Sequence, residues 1–292
     1  VATGCQSPRQ IPPTSGVIPV NGVSLPYVIE GTGRPCMVLG SRVYYPRTFS
    51  ARFKSTLQCA YIDHRGFVAD APAPPGGRFT VDAAVEEFEA ARRTLKMDRV
   101  VIVGHSVNGL MALAYALRYP EHVSHVIAIG AVPALGRDVN QRISEFWMSR
   151  ASAGRKAADR RNRARLSPDS LAKLSPSDAF IATYVRNAAR YWADSTYDGS
   201  WLWQGVTVNM PRVSELFDPA RGYTLRAAAP VMVPVLIALG RQDYAVPFTE
   251  WEGFRGPFRD VTIEIFERSG HTPQLEESIE FDRRVLGWLQ RK

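Results

Sequence analysis

Cysteine is scarce in this chain. Cys5, Cys36 and Cys59 are the only three in 292 residues, an odd count with no metal-ligand spacing, so neither a disulfide framework nor a cysteine-based zinc site is indicated. Cys36 and Cys59 fall in apolar, strand-like runs and read as inert core thiols. Long apolar runs are also missing. Nothing approaches the roughly 20 consecutive apolar residues of a membrane-spanning helix, so a soluble chain with no membrane span is expected. There is no internal repeat and no low-complexity tract. Acidic residues are in deficit, 28 against 36 basic ones, for a formal charge of +8. That balance raises the question of a nucleic-acid partner, but no nucleic-acid-binding motif accompanies it, and no such partner is expected.

What is present is enough apolar sequence, 45%, to bury a large core. "GVIPV" and "SLPYVIE" read as an antiparallel pair around the turn residues Asn21 and Gly22. "CMVLG", "LQCAYID", "RVVIVG", "HVIAIGA", "VPVLIALG" and "VTIEIFE" are short, nearly continuous apolar runs, as expected of strands covered on both faces. Between them lie helical periods. Thr80 can cap a helix over 80–96 whose Ala84, Val85, Phe88, Ala91 and Leu95 share a face; 107–118 is a second helix, and about 274–290 a last one. The alternation predicts an α/β fold, a mostly parallel sheet flanked by helices.

Two segments depart from that alternation. Residues 1–16, rich in proline and polar side chains, read as a tail, with structure starting near Val17. A cytoplasmic location is the expectation; the alternative is that "VATGC" is a lipoprotein box ending at Cys5, although Ala2 stands where a leucine belongs. Residues 135–229 read as an inserted helical lid on a core made of 17–134 and 230–292. Ser167-Pro168 and Ser175-Pro176 each place a cap before a proline at a helix start. In the second of these helices Phe180, Ile181, Tyr184, Val185, Ala188, Tyr191 and Trp192 share a face, and Trp201 and Trp203 follow. The first half of the insertion carries Arg150, Arg155, Lys156, Arg160, Arg161, Arg163 and Arg165 against Asp159, which reads as a solvated face.

In "RVVIVGHSVNGLMALAYALRYP" a strand ends in Gly-His-Ser and turns at once into a helix. Such a turn exposes Ser106 at the carboxyl end of the sheet and aims the helix N-terminus at developing negative charge. The segment resembles the nucleophile elbow of the α/β-hydrolase family, G-x-S-x-G, at Gly104 and Ser106; Asn108 occupies the second glycine position and Gly109 comes one place late. The resemblance runs from about residue 17 to 290, and "FERSGHTPQLEE" is similar to the proline iminopeptidase-like branch.

That resemblance implies a Ser106–Asp243–His271 triad, since Asp243 follows "VPVLIALG" and His271 follows "VTIEIFE". The other acid position of the family, after "HVIAIGA", holds Ala131 and Val132. His105 reads as packing beside the elbow, His122 and His125 as surface or strand-end residues, and Asp63 and Arg65 as structural. The oxyanion donors implied are the N–H of Val107 and that of Ser41 or Arg42. A serine nucleophile disfavours the aspartate-dependent dehalogenase and epoxide hydrolase branches. The implied activity is hydrolysis of an ester or lactone of an apolar, cyclic or aryl-bearing small molecule, without metal or organic cofactor, with Tyr184, Tyr191, Trp192, Trp201 and Trp203 contributing to the substrate site. Three alternatives stay open: a proline iminopeptidase-like aminopeptidase, a carbon–carbon bond hydrolase, and a lactone-binding receptor with slow hydrolysis. Oligomeric state is not legible.

Overall fold

The computed structural model describes residues 14–218, 220–227, 229–254 and 256–292. Cys5 and residues 1–13 of the expected tail lie outside the described residues. The first strand opens at Thr14, three residues ahead of the expected start at Val17, because its backbone pairs along its full length with the next strand.

The strands are β1 (Thr14–Val20), β2 (Val23–Glu30), β3 (Arg34–Leu39), β4 (Leu57–Ile62), β5 (Val100–His105), β6 (Val123–Ile129), β7 (Ala134–Leu135), β8 (Tyr223–Thr224), β9 (Val235–Gly240) and β10 (Val261–Phe266). Eight of them form one sheet in the order β1-β2-β4-β3-β5-β6-β9-β10. The β1–β2 and β2–β4 pairings are antiparallel and the others parallel. Asn21 and Gly22, at φ of 47° and 76°, make the tight turn between β1 and β2.

Side chains alternate between the two faces of the sheet, and both faces are covered. Met37, Leu39 and Ile102 join one core with Phe88 and Leu110 of the helices Val81–Thr94 and Val107–Arg118. Val38, Val101 and Val103 join the opposite core with Phe281, Val285 and Trp288 of the helix Ser278–Arg291. Thr80 caps its helix by accepting the Ala83 N–H at 3.1 Å, and Ala84, Val85, Phe88 and Ala91 are buried as the periodicity requires.

β10 departs from expectation. It is the sheet edge, so Val261 and Ile263 stay 37% and 44% exposed although their run reads as fully buried. The expected last helix is broken at Glu277 into Pro273–Glu276 and Ser278–Arg291.

Between β6 and β9 the chain runs through helices from Arg137 to Leu216, and the two ends of this excursion are joined by the short β7–β8 ladder. Ser167 and Ser175 accept the N–H groups of Ser170 and Asp178, so both Ser-Pro caps form as the sequence predicts. The second capped helix stops at Arg186, and Ala188–Tyr191 is a separate turn after Asn187.

β3 pairs with β4 on one side and β5 on the other. The loops leaving the carboxyl ends of these strands diverge there, and such a switch point opens a crevice in an α/β sheet.

Candidate active site

Ser106 sits between β5 and the helix Val107–Arg118 at φ 59°, ψ −130°. For a residue with a side chain this is a strained backbone, costing about 1–3 kcal/mol. The surrounding bonds hold it there: Ser106 N–H donates to Ile129 O of β6 at 2.8 Å, and Gly109 N–H donates to Ser106 O at 2.9 Å.

The shifted glycine has a structural answer. Asn108 is buried and its Nδ2 donates to the Tyr45 hydroxyl at 2.9 Å. Room for this side chain comes from Gly40, at φ 123°, where an added Cβ would lie 2.6 Å from Asn108 Nδ2. At Gly109 an added Cβ would lie 2.6 Å from the Ala131 Cβ, so the close approach of helix to loop is made one residue later than the family motif places it.

His271 Nδ1 lies 2.7 Å from Asp243 Oδ2, and Asp243 is fully buried. The other carboxylate oxygen, Oδ1, accepts the N–H groups of Ala245 and Val246 at 2.8 Å each. An acceptor-only carboxylate fixes the proton of His271 on Nδ1 and leaves Nε2 as the basic nitrogen. His271 and Ser106 line one cavity. His105, read as packing, does more: its Nε2 donates to the His271 carbonyl at 2.8 Å, and burial holds its pKa well below the ordinary value, keeping the ring neutral.

The loop after β3 separates the two candidate donors. Arg42 N–H donates to Asp63 Oδ1 at 2.5 Å, and Ser41 Oγ accepts from Val43 and Tyr44 N–H at 3.2 and 3.1 Å. Among the described residues no protein acceptor takes the N–H of Ser41 or of Val107. Burial pushes the Asp63 carboxyl up to about 7, against the lowering pull of Arg42.

The cavity encloses about 840 Å³ of non-atom space, counting its open mouth. Four of the five aromatic side chains expected there line it: Tyr184, Tyr191, Trp192 and Trp203. Trp201 does not. It lies two positions from Trp203 in a tight 3₁₀ turn, Ser200–Trp203, which turns it outward; it is 39% exposed and its Nε1 donates to the Tyr197 hydroxyl at 2.9 Å. The sequence reading missed Tyr44, Tyr45, His64, Phe67 and Phe180, which also line the wall. The aromatic pair after Ser41 was the available signal. Ring centroids lie 4.8 Å apart for Tyr44–Trp203, 4.5 Å for Tyr184–Trp203 and 5.1 Å for Tyr184–Tyr191, and Tyr191 stands 5.4 Å from the His271 ring. Burial raises all four tyrosine pKa values, that of Tyr191 to about 12, so the wall is neutral.

Charged groups of the insertion are elsewhere. Arg150, Arg160, Arg161 and Arg165 are exposed, Arg163 pairs with Asp159 at 2.7 Å, and Arg155 is buried against backbone carbonyls. Glu215 accepts the Phe79 N–H and Asp218 pairs with Arg78, both away from the cavity lining. Among the described residues no three His, Cys, Asp or Glu side chains gather as a metal-holding group, and no helix is long and apolar enough to cross a membrane.

The α/β-hydrolase fold family matches residues 38–278. The chain belongs to that family. As an α/β-hydrolase it is 36% identical to the AB hydrolase superfamily protein YclE of Bacillus subtilis (strain 168), over 94% of this chain and 98% of that protein. Among solved structures it resembles an epoxide hydrolase from Bacillus megaterium, with TM-score 0.66 and 18% identity over 94% of this chain and 100% of that one. It also resembles an esterase from Exiguobacterium antarcticum, with TM-score 0.62 and 20% identity over 94% and 98%. At these identities the structural likeness speaks for the α/β-hydrolase fold alone, so the reaction has to be argued from the site.

Proposed function

We propose that this α/β-hydrolase is a serine hydrolase that cleaves a carboxylic ester or lactone bearing an apolar, cyclic or aryl group. The reading is carried by the 2.7 Å bond from His271 to a fully buried Asp243, in a site where His271 and the strained Ser106 face one aromatic cavity. Ser106 Oγ attacks the carbonyl carbon while His271 Nε2 takes its proton, and Asp243 stabilises the imidazolium. The oxyanion is held by the N–H groups of Val107 and Ser41; the commitment of Arg42 N–H to Asp63 supports Ser41 over Arg42. Collapse of the intermediate breaks the ester C–O bond, and the leaving oxygen takes the proton from His271. Water, deprotonated by His271, then attacks the acyl-enzyme and releases the acid and Ser106.

The helices over 135–229 act as the lid of this site, with Tyr184, Tyr191, Trp192 and Trp203 gripping the apolar group of the substrate. An aminopeptidase has to hold a cationic amine, and a buried charge without a partner costs several kcal/mol. The described lining consists of rings, hydroxyls, amide and apolar side chains, with no carboxylate among them. A carbon–carbon hydrolase of anionic dienoates would want a cationic side chain there, and the insertion's arginines lie elsewhere.

Steady-state assays of aryl esters, a lactone panel and proline p-nitroanilide test the reading. The best ester or lactone is expected to exceed the anilide at least about a hundredfold in kcat/KM, roughly 2.7 kcal/mol of transition-state stabilisation. Turnover well above one per minute separates an enzyme from a slow receptor. Equal or better cleavage of the proline amide would reverse the assignment.

A further inference from the structure

The loop that carries His271 is held by a side chain the mechanism above does not use. Glu276 Oε2 accepts the Gly270 N–H at 3.1 Å and Oε1 accepts the Thr272 N–H at 3.0 Å, so the N–H groups of the residues before and after His271 both end on one carboxylate. Oε2 also accepts the N–H of Ala193, from the helical insertion, at 2.8 Å. The N–H of His271 itself donates to Tyr191 O of the same segment at 2.5 Å.

The other side of segment 189–193 is held by Arg155. Its Nη1 donates to Ala189 O and Trp192 O at 2.8 and 2.7 Å, and its Nη2 to Ala193 O and Gln242 Oε1 at 2.6 and 3.1 Å. Gln242 precedes Asp243, and beyond it Tyr244 N–H donates to Arg190 O at 3.0 Å. Segment 189–193 is therefore bonded to the loop of His271 and to the loop of Asp243 alike. A buried guanidinium holds it through three backbone carbonyls and a half-buried carboxylate through the N–H of Ala193, and neither group is spent on the other.

We propose that Glu276 is a positioning residue for His271, and that Glu276 and Arg155 make segment 189–193 a fixed part of the catalytic framework rather than a movable piece of the lid. The inference rests on the reading of Ser106, His271 and Asp243 as the catalytic groups. Glu276 touches no reacting atom; it acts by fixing where the imidazole stands, and a misplacement of about 1 Å at a base can cost up to about a hundredfold in rate. It also adds charge. Burial raises the Glu276 carboxyl while its three N–H donors pull it down, and Asp243 repels it. Arg155 is its cationic neighbour, Tyr44 a neutral one, and His271 lies in its own loop. Removing this negative charge disfavours imidazolium, so the acid limb of the rate profile moves to lower pH.

The test uses the full chain with Glu276→Gln and Arg155→Lys, an aryl ester, and amide hydrogen exchange read by mass spectrometry. Glu276→Gln is isosteric but turns an NH2 toward N–H donors. It is expected to lower kcat about 10- to 100-fold with KM within about threefold, and to shift the acid limb of kcat/KM to lower pH. Exchange is expected to rise together in 189–193 and 270–272. Arg155→Lys is expected to show the same loss of kcat and the same joint exchange, and decides the matter by those two readouts if Glu276→Gln does not fold. A folded variant with kcat within twofold of wild type, or exchange rising in 270–272 while 189–193 stays protected, overturns the proposal. Ser106→Ala is the control: an active Ser106→Ala sinks the functional reading itself, whereas an inactive Ser106→Ala beside a fully active Glu276→Gln sinks only this inference.

Discussion

Ser106 holds a backbone conformation, φ 59° and ψ −130°, that belongs to the first central position of a type II′ turn and suits glycine. Strain at the proposed nucleophile predicts a trade between stability and activity. Ser106→Gly is expected to abolish turnover while raising the unfolding free energy by about 1 kcal/mol, read by denaturant titration; an unchanged or lowered stability would remove strain from the account. Asp243→Asn is expected to reduce kcat by about four orders of magnitude with the fold intact, because the amide favours the wrong tautomer of His271. A larger loss from Asp63→Asn in a folded protein would move the acid elsewhere. Ser106 stood out in the sequence because it follows a strand-like apolar run at once, and the family resemblance implied Asp243 and His271 from their order in the chain after two later runs. Asn108 was not. Its accommodation depends on Gly40 and Tyr45, which meet it only after the sheet has formed, and no local periodicity records that contact.

Caps and hydrophobic periods were readable at the element scale because they are local. Ser167, Ser175 and Thr80 cap as their spacing requires, and Ser175→Ala is expected to cost the protein about 1 kcal/mol. What the pattern could not provide was the direction of side chains in irregular stretches. Trp201 and Trp203 read alike in sequence, yet the turn that contains them sends one to the surface and one into the cavity. Trp203→Ala is accordingly expected to lower kcat/KM for an aryl ester at least about tenfold more than for an acetate ester, whereas Trp201→Ala should leave that ratio within about twofold. The reverse ordering, measured on the same two substrates, would place the apolar subsite elsewhere. The exposed β10 shows the same limit, since a run of Val and Ile does not say whether a strand lies inside a sheet or at its edge.

Strand order at the scale of the whole molecule was not derivable from alternation, because pairing β3 between β4 and β5 is a non-local choice. The folded chain also buries histidines away from protons. His64, 3% exposed, accepts the Gly66 N–H at Nδ1, and burial pushes its pKa from 6.5 down to about 3. Between those values the unfolded chain binds a proton that the folded chain does not, so this contribution is present above pH 6.5 and is lost as pH falls. The stability advantage of wild type over His64→Asn should shrink by roughly 1.5–2 kcal/mol from pH 6.5 to about 5, measured by urea unfolding; a constant difference would show that His64 titrates normally in the fold. The central claim, that Ser106 is a nucleophile activated by His271, has a more direct test. The protein is treated with a fluorophosphonate probe and the modified peptide is sequenced by mass spectrometry. The account predicts a single phosphonylated residue, Ser106, with labelling lost in His271→Ala; labelling at another serine, or undiminished labelling of Ser106 in His271→Ala, would contradict it.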